Sequence, residues 1–271
     1  MLIEETIGYL RARLGVRLHE LSIAGLRIGI HLTAVVLSDG SAGVCSTTLP
    51  QPGPKPREGR DYGRFSPLNI RGIGLDELLE TSGGSRLKAP LRLAVINALS
   101  AGLLEHTGHK VLENTDPISL LDLSRPRHIA MVGAFHSYIP VLLSAGQHLS
   151  VVELDKSALA PEYASLYVPA GQESAVISKA DAVIFTGMTL ANHSLDRLLT
   201  LTKAGQELLV AGPSAGVVPD VLFSRGVHMI GATRITDPGR LLDLVAEGGS
   251  GYHLFRYCAQ KITILPPDGF P

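Results

Sequence analysis

Residues able to do chemistry recur at one kind of place in this chain, directly after short apolar runs. His136 follows HIAMVGAF, Glu153 closes HLSVVE, and Thr186, Thr189, Asn192 and His193 follow ADAVIF. Ser214 stands in the turn GPSAG after ELLVA. Imidazole suits zinc, copper, iron and nickel, and a carboxylate can complete the coordination sphere. His136 and His193, with Glu153 as partner, are therefore the candidate ligands for a transition metal ion. A carboxylate at a strand end also accepts hydrogen bonds from ribose hydroxyls. Glu153 has that position, 20 residues beyond Gly133. The hydroxyls of Thr186, Thr189 and Ser214 and the amide of Asn192 both donate and accept. Gly133, Gly187 and Gly212 leave the backbone open at the same turns.

Other chemistries lack their spacing. A dinucleotide turn reads G-x-G-x-x-G, its second glycine letting the backbone approach the pyrophosphate. Here Phe135 stands in that place and Tyr138 in the third, so ordinary NAD binding is disfavoured. There is no C-x-x-C or H-E-x-x-H.

These residues need elements to hold them. From His128 onward the chain reads strand, helix, strand, linker, strand. A helix at 195–204 and strands at 207–211 and 227–230 follow, and Asp237 opens a helix at 238–246 that stops at Gly248-Gly249. That rhythm belongs to a doubly wound, mainly parallel α/β sheet, whose ligand crevice lies outside the carboxyl ends of the strands. The tail HLFRYCAQKITIL returns as a helix or strand.

The first half differs. Ile3, Ile7, Leu10 and Leu14 form one stripe of a helix over 2–14. Three strand-like runs follow at 17–23, 26–37 and 43–49, the last two joined by Ser38-Asp39-Gly40-Ser41, a hairpin signal. They form an antiparallel meander carrying His31, Thr33 and Thr47. Residues 51–72, rich in Pro, Gly and Arg, read as a connector or as a lid. Helices follow at 74–81 and 90–106, the second with Leu91, Val95, Leu99 and Leu103 in register and Asn97 off that stripe. The division is a smaller α+β domain over 1–115 and an α/β domain over 116–271.

Composition narrows the functions. The 271 residues are 45% hydrophobic and carry a formal net charge of -1, with scattered basic residues, which argues against a phosphate-backbone partner. Two cysteines give no disulfide framework. No apolar run reaches the 18 or more residues of a membrane span. A soluble, cytoplasmic protein is expected, with homo-oligomerisation left open.

The stretches ADAVIFTGMTLANHSLDRLL, LLVAGPSAGVVPDVLF and GATRITDPGRLLDLVAEGG resemble the family described as "Putative heavy-metal chelation". GIHLTAVVLSDGSAGVCSTTL is similar to that family's first-domain meander. The resemblance implies an enolase-N-terminal-like domain followed by a Rossmann-like domain. It also implies a metal or small metal-chelating ligand, bound in a cleft between the two. The expected ligand-binding residues are Gly133, Phe135, His136, Glu153, Thr186, Gly187, Thr189, Asn192, Gly212 and Ser214. The alternative is an enzyme acting on a nucleotide-like or S-adenosylmethionine-like molecule at the same strand ends.

Overall fold

The computed structural model describes residues 1–47, 66–80 and 88–268. Most of the 51–72 segment, with its lid reading, lies outside the described residues. The chain opens with α1 (Leu2–Leu14), whose Leu2, Ile3, Ile7 and Leu10 are buried as the stripe requires, and a single turn α2 (Arg17–Glu20). Strands β1 (Ile23–Ile28), β2 (Leu32–Leu37) and β3 (Ala42–Ser46) form a three-stranded antiparallel sheet. The meander is therefore present with shifted edges. The run at 17–23 is mostly a helical turn, and Ala24-Gly25 is no break but an irregularity inside β1, where the register shifts between Ile23 and Gly25. The run 26–37 is instead divided at Gly29–His31. Apolar alternation alone does not mark that turn, because Ile30 is an exposed apolar residue within it.

Helices α3 (Leu75–Leu79) and α4 (Lys88–Leu104) follow. α4 lies against β3 so closely that a Cβ at Gly43 would come within 2.1 Å of the Ala94 carbonyl oxygen. It is buried nearly all round, well beyond its Leu stripe. Arg92 and Asn97 are enclosed, Arg92 paired with Glu4 at 2.8 Å and donating to the Leu79 carbonyl at 3.0 Å.

Next come β4 (Lys110–Glu113), β5 (His128–Val132), α5 (Tyr138–Ser144), β6 (His148–Glu153) and β7 (Tyr167–Pro169). They are followed by α6 (Glu173–Ile177), β8 (Ala182–Thr186), α7 (Met188–Ala191), α8 (Leu195–Leu199) and β9 (Glu207–Ala211). The chain continues through α9 (Pro219–Phe223), β10 (Met229–Ile235), α10 (Pro238–Ala246), α11 (Gly251–Tyr257) and β11 (Ala259–Leu265). One eight-stranded sheet takes the order β4-β11-β10-β9-β8-β5-β6-β7. Neighbours from β7 through β10 pair parallel, while β11 pairs antiparallel with both β10 and β4. The architecture is α/β, a mainly parallel sheet with a smaller antiparallel sheet before it. β4 precedes residue 116 in sequence yet belongs to the large sheet. Its short run KVLE has no buried residue, so periodicity could not announce it. Asp237 caps α10, its carboxylate accepting the Arg240 N–H at 2.9 Å.

Two apolar layers sandwich the large sheet. One shares its core with α1, α4 and the small sheet. The other is formed by α5 and the 117–121 turn. No described helix is long and apolar enough to cross a membrane.

Candidate functional site

The sheet order places β6 and β7 to one side of β5, and β8, β9 and β10 to the other. The connections therefore diverge between β5 and β8, and a crevice opens at such a switch point. Here it is a hollow of about 380 Å³, and a separate hollow of about 470 Å³ lies away from it, between β3, α4 and β10.

The 380 Å³ hollow gathers Gly133, Glu153, Thr186, Thr189 and Asn192, five of the residues singled out by sequence. Gly133 takes φ 92°, and a Cβ there would approach Thr186 Cγ2 to 2.6 Å, so the floor of the hollow requires glycine. Glu153 is fixed by the turns around it. Ala134 N–H donates to Oε2 at 3.0 Å and Leu154 N–H to Oε1 at 2.8 Å. Two of the roughly four lone-pair positions of the carboxylate are so used. Thr189, almost fully buried, donates to the Thr186 carbonyl oxygen at 2.6 Å. Asn192 is exposed, its Oδ1 accepting from Ser194 N–H at 3.1 Å and Ser194 O–H at 2.7 Å. Glu173 and Arg197, absent from the sequence expectations, complete the wall as an ion pair. Glu173's own backbone N–H holds its carboxyl below the usual range, and Arg197 adds to this. No motif marks these two; only the fold brings 173 and 197 together.

The remaining residues lie elsewhere. Phe135 turns away to stack on Tyr138 at 4.9 Å and, with Gly212, lines a smaller hollow of about 140 Å³. Gly187 packs against the backbone of Ser214 and Ala215. Ser214 is 1% exposed; its hydroxyl accepts the Ser46 N–H at 3.0 Å and donates to Cys45 Sγ at 3.5 Å, so it joins the domains. His136 is exposed on the β5–α5 turn. His193, with φ 59°, lines a further hollow of about 160 Å³ with residues of α1 and α4.

The donor set for a metal can be tested directly. No group of three or more His, Cys, Asp or Glu side chains suited to an ion occurs among the described residues, so His136, His193 and Glu153 form no such trio. Both cysteines are buried, and burial pushes the Cys45 thiol up to about 12 and raises that of Cys258. The thiolate is the ligating form, so neither is poised to bind. Among the described residues the donors do not fit an ion held by protein side chains alone.

A doubly wound sheet with polar turns along its carboxyl edge, preceded by a small antiparallel sheet packed through α4, defines a two-domain α/β protein of Rossmann-like type. The chain belongs to the family described as "Putative heavy-metal chelation": two models of that description match residues 116–264 and 11–100. An uncharacterised protein of Methanocaldococcus jannaschii is 30% identical over 92 residues, a match spanning 34% of this chain and 35% of that protein. A DUF364-family protein of unknown function from Pyrococcus horikoshii superposes with TM-score 0.69 at 17% identity, covering 98% of this chain and 100% of its own. Another from Desulfitobacterium hafniense gives 0.70 at 18% identity, covering 95% and 99%. These likenesses establish the fold.

Proposed function

We propose that this protein binds a small metal-chelating organic molecule in the hollow at the carboxyl ends of β5, β6 and β8, the metal arriving on that molecule. The observation that carries the reading is the convergence of Glu153, Thr186, Thr189 and Asn192 around Gly133 at the switch point. These groups offer hydrogen bonds to an organic ligand, whereas the described donors form no metal cage. The family description is thereby reconciled with the residues: the chelating atoms belong to the cargo. The expected closure of this hollow by the first domain has no described first-domain residue behind it. We accordingly place the ligand on the second domain's own turns.

Native mass spectrometry of the full chain, purified without chelators, tests this. One organic molecule should be retained with its metal, and Glu153→Gln should lose both. Stripped protein should not rebind zinc or nickel supplied as the free ion. Stoichiometric binding of either free ion would overturn the reading.

Glu153 favours a second reading. It ends β6, where acids of nucleotide-binding sheets accept ribose hydroxyls, and it retains free lone pairs for that role. On this reading the chain is an enzyme of a nucleotide-like or S-adenosylmethionine-like substrate. Saturable binding of adenosine, lost in Glu153→Gln, would select it.

A further inference from the structure

We propose that the hollow of about 470 Å³ between β3, α4 and β10 is a second small-molecule site, taking an uncharged molecule rich in N–H or O–H donors. The volume falls within the usual range of ligand pockets, roughly 300–1,000 Å³. Its walls come from both domains, since β3 and α4 face the 213–219 turn and β10 across it.

Polar accounting points to a ligand. Buried polar side-chain atoms are almost always hydrogen-bonded, because stripping them of water without a partner is unfavourable. Among the described residues five such atoms have no partner: Asn97 Oδ1, Ser100 Oγ, Thr233 Oγ1, His109 Nδ1 and Arg127 Nε. The first three belong to residues lining this one hollow. Asn97 and Ser100 are only 4% and 3% exposed, on a helix whose buried residues are mostly apolar. Asn97 was off the Leu stripe in sequence, and here it forms part of the inner wall.

The same residues set the ligand's chemistry. The Asn97 amide nitrogen donates to the Val44 carbonyl at 2.8 Å and to the Pro213 carbonyl at 3.5 Å. Those bonds assign the amide's orientation and leave Oδ1 an acceptor only. A ligand must therefore bring a donor to Asn97, while the hydroxyls of Ser100 and Thr233 either give or take. Charge excludes anions. Arg234, the cation among the described lining residues, is engaged by Glu113 at 2.5 Å. Asp39 is engaged by Ser41 and lies 3.8 Å from Arg17, and the exposed Glu105 adds negative charge at the rim. Carboxamides and polyols share the required donor-rich, uncharged chemistry.

Saturation-transfer NMR on the full chain tests this with benzamide for the carboxamides, myo-inositol for the polyols and benzoate as anionic control. One neutral probe should bind saturably and benzoate should not. Ser100→Ala with Thr233→Val should weaken that probe about tenfold, the worth of one to two hydrogen bonds, without lowering Tm. Ala101→Trp, an exposed helix position at the mouth, should block the probe without disturbing buried atoms, and so serves if the double variant folds poorly. Glu153→Gln should leave binding unchanged, which separates this site from the strand-end hollow. No saturable neutral binding, equal binding of benzoate, or affinity indifferent to these wall variants would overturn the proposal. Loss of the probe in Glu153→Gln would overturn it too, by assigning the binding to the strand ends.

Discussion

The hydroxyl of Ser214 receives the backbone N–H of Ser46 at 3.0 Å, tying the turn after β9 to the end of β3 across 168 residues of chain. Ser214 is 1% exposed, Ser46 is half-buried, and the same hydroxyl donates to Cys45. Ser214→Ala would remove the partner of the half-buried Ser46 N–H. The expected loss is about 0.5–1.5 kcal/mol, read as a lower urea midpoint at unchanged m-value. An unshifted midpoint would mean that this bond does not hold the joint.

Cys45 should be chemically silent in the native state. It is fully buried, and desolvation pushes its thiol up to about 12 despite the opposing hydrogen bond from Ser214. Since the thiolate is the nucleophile, iodoacetamide at mildly alkaline pH should modify it only through unfolding. Mass spectrometry of a labelling time course, with and without denaturant, measures this. Rapid native labelling at Cys45 would contradict the burial.

Gly133 and Thr186 form a coupled pair on the floor of the strand-end hollow. Gly133→Ala meets two penalties: a left-handed φ of 92° and a Cβ only 2.6 Å from Thr186 Cγ2. The backbone part alone costs about 1–3 kcal/mol. Thr186→Ser removes the closer of two clashing atoms, the methyl, while its Cβ at 2.9 Å remains, so it should restore part of the steric penalty and none of the backbone one. A double-mutant cycle by denaturation should show positive coupling of about 0.5–3 kcal/mol. Strict additivity would show that the turn relaxes away from β8.

These turns explain how far the sequence could be read. Strong apolar runs, closed by glycine after β5, β8 and β9 and by Glu153 in β6, placed these four strands almost to the residue, because parallel strands buried on both faces read as continuous hydrophobic stretches. The edge strands β4 and β7 lack that signature, with no fully buried residue in either. The polar turns likewise revealed Gly133, Glu153, Thr186, Thr189 and Asn192 as neighbours. Direction within a turn was not legible. Phe135 was expected to obstruct the crevice, yet its ring stacks on Tyr138 beside a different hollow. The partners of Ser214 lie in the other domain, and the ion pair of Glu173 with Arg197 depends on packing between turns far apart in sequence.

That ion pair gives a pH dependence of known sign. Glu173's carboxyl lies below its ordinary value of 4.5, held chiefly by its backbone hydrogen bond and also by Arg197. Its folded pKa is depressed, so its contribution to stability is present above the unfolded pKa and disappears as pH falls through the folded one. Wild type should therefore lose more stability than Glu173→Gln on acidification below about 4.5, with the two curves parallel above it. Thermal melts across that range provide the test, and identical acid slopes would remove Glu173 from the account.

Asn192 separates a capping role from a binding role. Its Oδ1 accepts both the N–H and the O–H of Ser194, so the side chain shapes the turn that starts α8. Oδ1 is thus occupied twice, while the amide nitrogen remains available as a donor toward the hollow it lines. Asn192→Ala should cost about 1 kcal/mol of stability through the lost turn bonds. On the proposed reading it should also weaken retention of the bound molecule by one hydrogen bond, about 0.5–1.5 kcal/mol. Asn192→Asp keeps the acceptor to Ser194 and removes the donor, which divides the two effects. The aspartate variant should melt close to wild type yet retain less of the molecule in native mass spectra. Full retention in both variants would confine Asn192 to the turn and leave binding to Glu153 and the two threonines.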